Sequence, residues 1–418
     1  MILYPGSKGW VSKYNDLLQR GDIIISVDKP TGISNEHFAH IQLSQSGIVF
    51  GFPTELLFAN LLDDKLWTTE EKLKLLLFEA HLFIYELNGG DATENFDLFI
   101  HSLIQFYGQH TAPAISKMMR FFKKESPEEK IESILEKRTE IPGSIINNAL
   151  WINYLSNSFV YLDVILYNEF LKTKRSLQDS HYEELAIDVL KMISFSSFID
   201  GKVSENEKNI FEVFLASANI EDNRKKSAQQ YLKTGAKLQE LSSRFTQLWM
   251  FKRFLLDISV LTLYSNKEID YNEKEICTEV SNFLHLSISE LDETLVVIEQ
   301  FVLNHTDKIP YLQNRNAVEH LYDNISKRWI KILGRNKDKL INEIQQSKDL
   351  VKLIKKSTTE ELTKDEKERV KTQFMDIVKT MPALAIFMLP GGAILLPIVL
   401  KIIPNLIPSA FRDNEIES

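Results

Sequence analysis

Cysteine is nearly absent from this chain. Cys277 is the single one among 418 residues, so no intramolecular disulfide can form and the sequence suits a reducing compartment. Glycine and proline are sparse, at 15 and 12, and five prolines (Pro382, Pro390, Pro397, Pro404 and Pro408) crowd towards the C-terminal end. The remainder is poor in helix breakers, which favours long helices over many short strands. The opening residues, MILYPGSKGWVSK, carry no apolar run of the kind a secretory signal needs. Catalytic signatures are missing as well: no glycine-rich phosphate loop, no G-x-S-x-G, no metal-type histidine pair and no diagnostic Cys–His spacing. The chain is accordingly read as not an enzyme.

What is present is an ordinary globular balance, 44% hydrophobic and 26% charged, over a length that allows two to four domains. The expected fold class is all-α: multi-helix bundles followed by a C-terminal apolar segment interrupted by proline. The boundaries are read as a mainly helical domain at 1–180, a helical domain with an internal repeat at 181–305, a basic amphipathic arm at 306–380 and the apolar segment at 381–411. Within the first domain, IIISV (23–27) and GIVF (47–50) are candidate strands. Thr54 and Glu55 open one helical pattern, and Thr68 to Glu71 open a stronger one that stops at Gly89-Gly90. Further helices are expected over 95–106, 112–122 and 127–136, the last capped by Ser126 with Pro127 in its first turn. His101 and His110 lack ligand spacing and read as core or surface residues. Trp151, Tyr154, Phe159, Tyr161 and Tyr167 read as helix-packing residues.

The middle of the chain repeats itself. FSSFIDGKVSENEKNIF (195–211) aligns with LTLYSNKEIDYNEKEIC (261–277), pairing Phe198 with Tyr264, Val203 with Ile269, Glu207 with Glu273 and Lys208 with Lys274. Each copy follows an apolar helix and opens another. Ser204 and Glu207 have the spacing of a capping box, in which each side chain takes an orphan backbone donor, and Asp270 and Glu273 occupy the same places in the second copy. Ser287 with Glu290 and Thr363 with Glu366 repeat the device. The alternative is a cation site at these acidic turns. The EF-hand template does not fit: counted from Asp200, glycine falls at position 2 and Phe211 at position 12.

An apolar helix followed by D-G-x-V-x-x-x-E resembles the TerB-like (tellurite-resistance) helical domains over about 182–300. That resemblance implies an all-α domain whose acidic turn binds a divalent cation, carried here by Asp200 and Glu207, with Asp270 and Glu273 as the counterpart positions. Asn266 stands in the second copy where the first has Asp200.

Lys327 to Lys379 carries 15 Lys or Arg against 9 Asp or Glu, although the whole chain is at −9. Slight aromatic interleaving argues against a nucleic-acid partner. The position, directly before MPALAIFMLPGGAILLPIVL (381–400), favours anionic headgroups. Twenty uncharged residues at about 1.5 Å each reach about 30 Å, a bilayer's hydrocarbon thickness. Pro390, Pro397 and Pro404 would kink such a helix, and Pro390-Gly391-Gly392 could equally turn it into a hairpin. Three arrangements stay open: a span, an interfacial hairpin, and burial of 381–408 in a soluble helical core. Lys401 is the one charge at the edge of the stretch.

Residues 362–412, and ILLPIVLKIIPNLIPSAF above all, resemble the membrane-segment region of the LETM family, the leucine-zipper EF-hand transmembrane proteins, including bacterial relatives of the biofilm-associated type. The resemblance implies membrane lipid as a partner and an association with cation/proton exchange through a homo-oligomer. The positive-inside bias of the basic arm puts the bulk of the chain on the cytosolic side of the cytoplasmic (inner) membrane, with a cytoplasmic protein as the alternative. That family's ribosome-binding domain follows its membrane segment, and the sequence stops at Ser418, which argues against a ribosome partner. A further protein partner is expected for the TerB-like region.

Overall fold

The computed structural model describes residues 3–109, 125–140, 157–173, 180–198, 203–242, 247–264, 271–305 and 315–388, together with 400 and 403. Among these the fold is all-helical, without a strand. The chain divides into two compact units: one made of 1–27, 42–291 and 308–311, the other of 28–41, 292–307 and 312–418.

The first unit begins with α1 (Trp10–Gln19) and includes the end of α2 (Asn35–Ser46). It continues through α3 (Thr69–Leu87), α4 (Phe96–Gln109), α5 (Pro127–Thr139) and α6 (Val160–Thr173). Thr68 and Ser126 cap α3 and α5 with full capping boxes, closed by Glu71 and Glu129. Every residue of α3 from Leu73 to Ile84 is buried, so this helix is covered all round by α1, α4, α5 and α6. Phe159, Tyr161 and Tyr167 are core residues, as their sequence context suggests, whereas Trp151, Tyr154, His110 and the helix expected at 112–122 lie outside the described residues. His101 is exposed, and its Nδ1 is hydrogen-bonded to the Asp97 carbonyl at 2.7 Å.

Three local expectations are corrected. Residues 48–50 form a 3₁₀ turn between Gly47 and Gly51, and 23–27 adopt no strand. The helix expected from Thr54 does not form. The N–H groups of Leu57, Phe58 and Ala59, which a helix would have turned inward on itself, all donate to the buried carboxylate of Glu79 at 2.7 to 3.1 Å. A carboxyl acceptor buried in the core has outcompeted the local helical pattern.

The repeat is realised as two helical hairpins. The first is α7 (Ser180–Ser197) with α8 (Glu205–Ser217). The second is α11 (Trp249–Tyr264) with α12 (Tyr271–Phe283). The leading helices α7 and α11 pack on each other, and the hydroxyls of Ser196 and Ser259 meet there at 2.9 Å in the core. Between the hairpins run the short helices α9 (Asp222–Ala228) and α10 (Tyr231–Thr234). Cys277 is buried on α12.

The second unit is built on α14 (Arg315–Arg335), α15 (Lys337–Gln346), α16 (Lys348–Ser357) and α17 (Lys364–Lys379). It also takes Asp292 onward from α13 (Ile288–Asn304) and residues 28–41. Helices α15 and α16 are separated at Ser347, whose hydroxyl bonds Gln373 on α17 at 2.8 Å. His37 reaches Glu293 at 2.8 Å and so ties the 28–41 segment into this unit.

Candidate functional site

The second unit contains the stretch around which the sequence is organised. Leu350, Leu353 and Ile354 form the buried stripe of α16, and Val370, Phe374, Ile377 and Val378 that of α17, with the spacing of amphipathic helices packed face to face. After Thr380 the chain does not continue as an α-helix: Pro382–Met388 is a 3₁₀ turn. Met381, Leu384, Ala385, Ile386 and Phe387 are buried. The Phe387 ring lies edge-on to Trp329 of α14 at 4.0 Å and to Phe374 at 6.0 Å. Pro382 packs on Gly32, which sits at φ +83° and whose missing Cβ would come within 2.9 Å of the proline ring.

A straight membrane helix starting at Met381 is therefore not what the first seven residues form. Among the described residues, no helix is long and apolar enough to cross a membrane. Pro390, Gly391, Gly392, Pro397, Lys401, Pro404 and Pro408 lie outside the described residues.

The basic arm spends much of its charge internally. Arg328 bonds the buried carboxylate of Glu299 at 3.0 Å, and Lys331 and Arg335 converge on Asp292 at 3.2 and 2.7 Å. Lys356 bonds Glu366, and with the Thr363 N–H it holds that carboxylate down at about 2. Arg369 and Gln373 share Asp349, which lies below the usual carboxylate range, Gln373 contributing most. Lys348, Lys352 and Lys355 behave differently. They stand at i, i+4 and i+7 on the outer face of α16, exposed, with no carboxylate within ion-pair distance among the described residues.

The acidic turns of the repeat are the other candidate. Glu207 is buried, and its Oε2 accepts the Ser204 N–H at 2.7 Å while Ser204 Oγ accepts the Glu207 N–H at 3.3 Å. Ser287 with Glu290 and Thr363 with Glu366 close in the same way. Asp200, Asp270 and the side chain of Glu273 lie outside the described residues. Among the described residues no group of three or more His, Cys, Asp or Glu is placed to hold a metal ion, and no cation geometry is built on Glu207.

One polar cluster had no signal in the sequence. In the first unit Arg138 grips Asp163 with two hydrogen bonds, at 2.6 and 2.8 Å, both side chains almost fully buried. Tyr107 also donates to Asp163 at 3.2 Å, and the Arg138 guanidinium lies over the Tyr182 ring at 4.8 Å. Burial pushes neighbouring His81 down to about 4, so it sits neutral beside the pair, 3.4 Å from the Tyr107 hydroxyl. This cluster is sealed from solvent and acts as a structural clasp between α5 and α6.

Comparison with known proteins bears on the C-terminal part. Residues 362–418 match the family described as "LETM1-like, RBD". The matched family is thus an RBD over a stretch whose wording suggested the membrane-segment region and argued against a ribosome partner. A curated relative is the "LETM1 domain-containing protein YLH47, mitochondrial" of Saccharomyces cerevisiae (strain ATCC 204508 / S288c), 31% identical over 118 residues, which is 27% of this chain and 23% of that protein. The chain therefore spans under a quarter of the relative it matches. No solved structure matches. Over residues 362–418 the chain is similar to the LETM1-like family.

Proposed function

We propose that this is a non-enzymatic LETM-type protein that works at a membrane surface, docking through its second unit. The observation that carries the reading is the pairing, in one unit, of the LETM-related segment with the unpaired lysine face of α16. Lys348, Lys352 and Lys355 would meet anionic headgroups, each adding about 1 kcal/mol within a Debye length of the surface. The uncharged sequence 389–400 would supply the apolar contact. The burial of Met381 and of Leu384 to Phe387 supports a shallow attachment over a full span beginning at Met381.

Flotation of the full-length chain with vesicles tests this. Recovery with phosphatidylglycerol-rich vesicles, but not with phosphatidylcholine alone, is the expected result. Charge reversal at Lys348, Lys352 and Lys355 should weaken recovery by about a hundredfold in affinity, from about 3 kcal/mol of lost attraction. A chain that stays at the bottom of the gradient with both vesicle types would overturn the proposal. It would favour instead an interaction protein whose 381–408 segment is folded into its own core, the reading to which the buried Phe387 already lends weight. A role in cation/proton exchange would require an oligomer around Lys401, and flux in proteoliposomes that survives Lys401→Ala would argue against it.

A further inference from the structure

The first copy of the repeat carries a groove that membrane docking leaves unused. Its cavity is about 570 Å³, within the range of ligand-binding clefts. Phe198, Val203 and Leu232 give it an apolar floor, and the ends of Lys208, Lys233, Gln229 and Gln230 form its rim. Among the described residues the lining contains no carboxylate. Lys208 faces Glu205 at 3.9 Å, the outer edge of an ion pair, and both rim lysines are exposed.

The walls are held in place by bonds that do not depend on a ligand. The Ser204–Glu207 capping box fixes the start of α8. Ser194 of α7 donates to the Tyr231 carbonyl at 2.7 Å, pinning α10 alongside. Lys191 holds the Glu240 carbonyl at 2.7 Å, and Asp188 accepts the Ser242 N–H at 2.9 Å. Gly235, at φ +70°, lets the turn after α10 lie against the Phe198 ring; a Cβ there would stand 3.2 Å from it. A rigid cleft loses little entropy on filling.

We propose that this groove binds a short acidic peptide segment of a partner protein, one with an aliphatic side chain set between its carboxylates. The two lysines supply cationic donors that pair with carboxylates, the two glutamine amides can donate to or accept from a peptide backbone, and the floor takes the aliphatic group. All four rim residues are exposed, so the cleft is open along its length and admits a chain running across it rather than an enclosed small molecule.

The test is fluorescence anisotropy on the full chain. The probe is a fluorescein-labelled hexapeptide with one isoleucine flanked by glutamates. Controls are its lysine-for-glutamate and alanine-for-isoleucine analogues. Binding of the acidic peptide, weakened at least about tenfold by Lys208→Glu with Lys233→Glu and retained by the two arginine replacements, is expected. The alanine analogue should bind more weakly, and the lysine analogue not at all. Charge reversal on α16 should leave the affinity unchanged, which separates this site from the membrane proposal. Equal binding by wild type and the double-glutamate variant would overturn the assignment, as would full displacement by inorganic phosphate at matched ionic strength. Both lysines are exposed, so the variants should keep the wild-type circular dichroism.

Discussion

Replacing Asp163 by asparagine isolates one interaction in the first unit. The side chain keeps its volume and loses its charge. Arg138, whose side chain is 3% exposed, then keeps a full positive charge in the core with only a neutral amide oxygen and the Tyr182 ring beside it. Breaking a buried pair from one side costs about 3–5 kcal/mol, because the cost lies in the orphaned ion rather than in the lost bond. For a unit of this size each kcal/mol lowers the melting temperature by roughly 2–4 °C, so a fall of about 6–20 °C is expected. Arg138→Met should cost a similar amount, leaving Asp163 with Tyr107 alone. The double variant Arg138→Met, Asp163→Asn should be markedly less destabilised than the sum of the singles, since no charge remains to be buried. The Asn157 amide donates to the Arg138 backbone carbonyl, so that contact survives all three changes. Urea and thermal unfolding by circular dichroism would measure the cycle. Single variants costing under about 1 kcal/mol, or a strictly additive double, would refute the clasp reading.

The same core predicts opposed pH responses. His81 is held at about 4 against a model-compound 6.5, so the unfolded chain takes up a proton first; stability should drop by about 3 kcal/mol as pH falls from 6.5 to 4. Glu79 is pushed up to about 7 from 4.5 by burial, partly countered by its backbone N–H donors; its ionised form is costly, so stability should rise as pH falls from 7 to 4.5. The two nearly cancel in wild type, and His81→Gln should uncover the Glu79 slope in urea melts taken across that range; a pH-independent His81→Gln protein would contradict the assignment. Phe387→Ala should destabilise the second unit by about 3–5 kcal/mol and shift Trp329 fluorescence to the red, an unchanged emission spectrum speaking against the packing. Gly32→Ala should cost roughly 1–3 kcal/mol by combining an unfavourable φ with collision against Pro382; denaturation midpoints within error of wild type would dismiss that contact.

What could be read in advance follows from range. Helix starts are encoded within four residues, and the spacings at Ser126, Ser204, Ser287 and Thr363 all form caps. Elements decided by distant groups were not legible. Nothing near Thr54 announces that Glu79 will take its helix's donors, and nothing near Ser347 announces Gln373. The αL turns at Gly47 and Gly51 let a β-branched run pass as a strand. The groove was hidden for the same reason: Phe198, Lys208 and Lys233 form no motif until α9 and α10 fold back on α7. The LETM-related ending was legible because its proline-interrupted wording is contiguous.

The second unit draws residues 28–41 from near the beginning of the chain, and that has a consequence for the order of events during synthesis. His37 and Glu293 are separated by 256 positions, and closing a loop of that length costs about 5 kcal/mol by the logarithmic chain law. The early segment leaves the ribosome long before the helices that receive it exist. It must wait, unpaired, while the intervening helices assemble, and it docks only when the C-terminal helices emerge. Completion of the second unit is therefore a late, slow step that any premature stop before α14 abolishes, and the residues left stranded by such a stop include the otherwise buried Ile33, Phe38 and Ile41, a short apolar stretch open to chaperones.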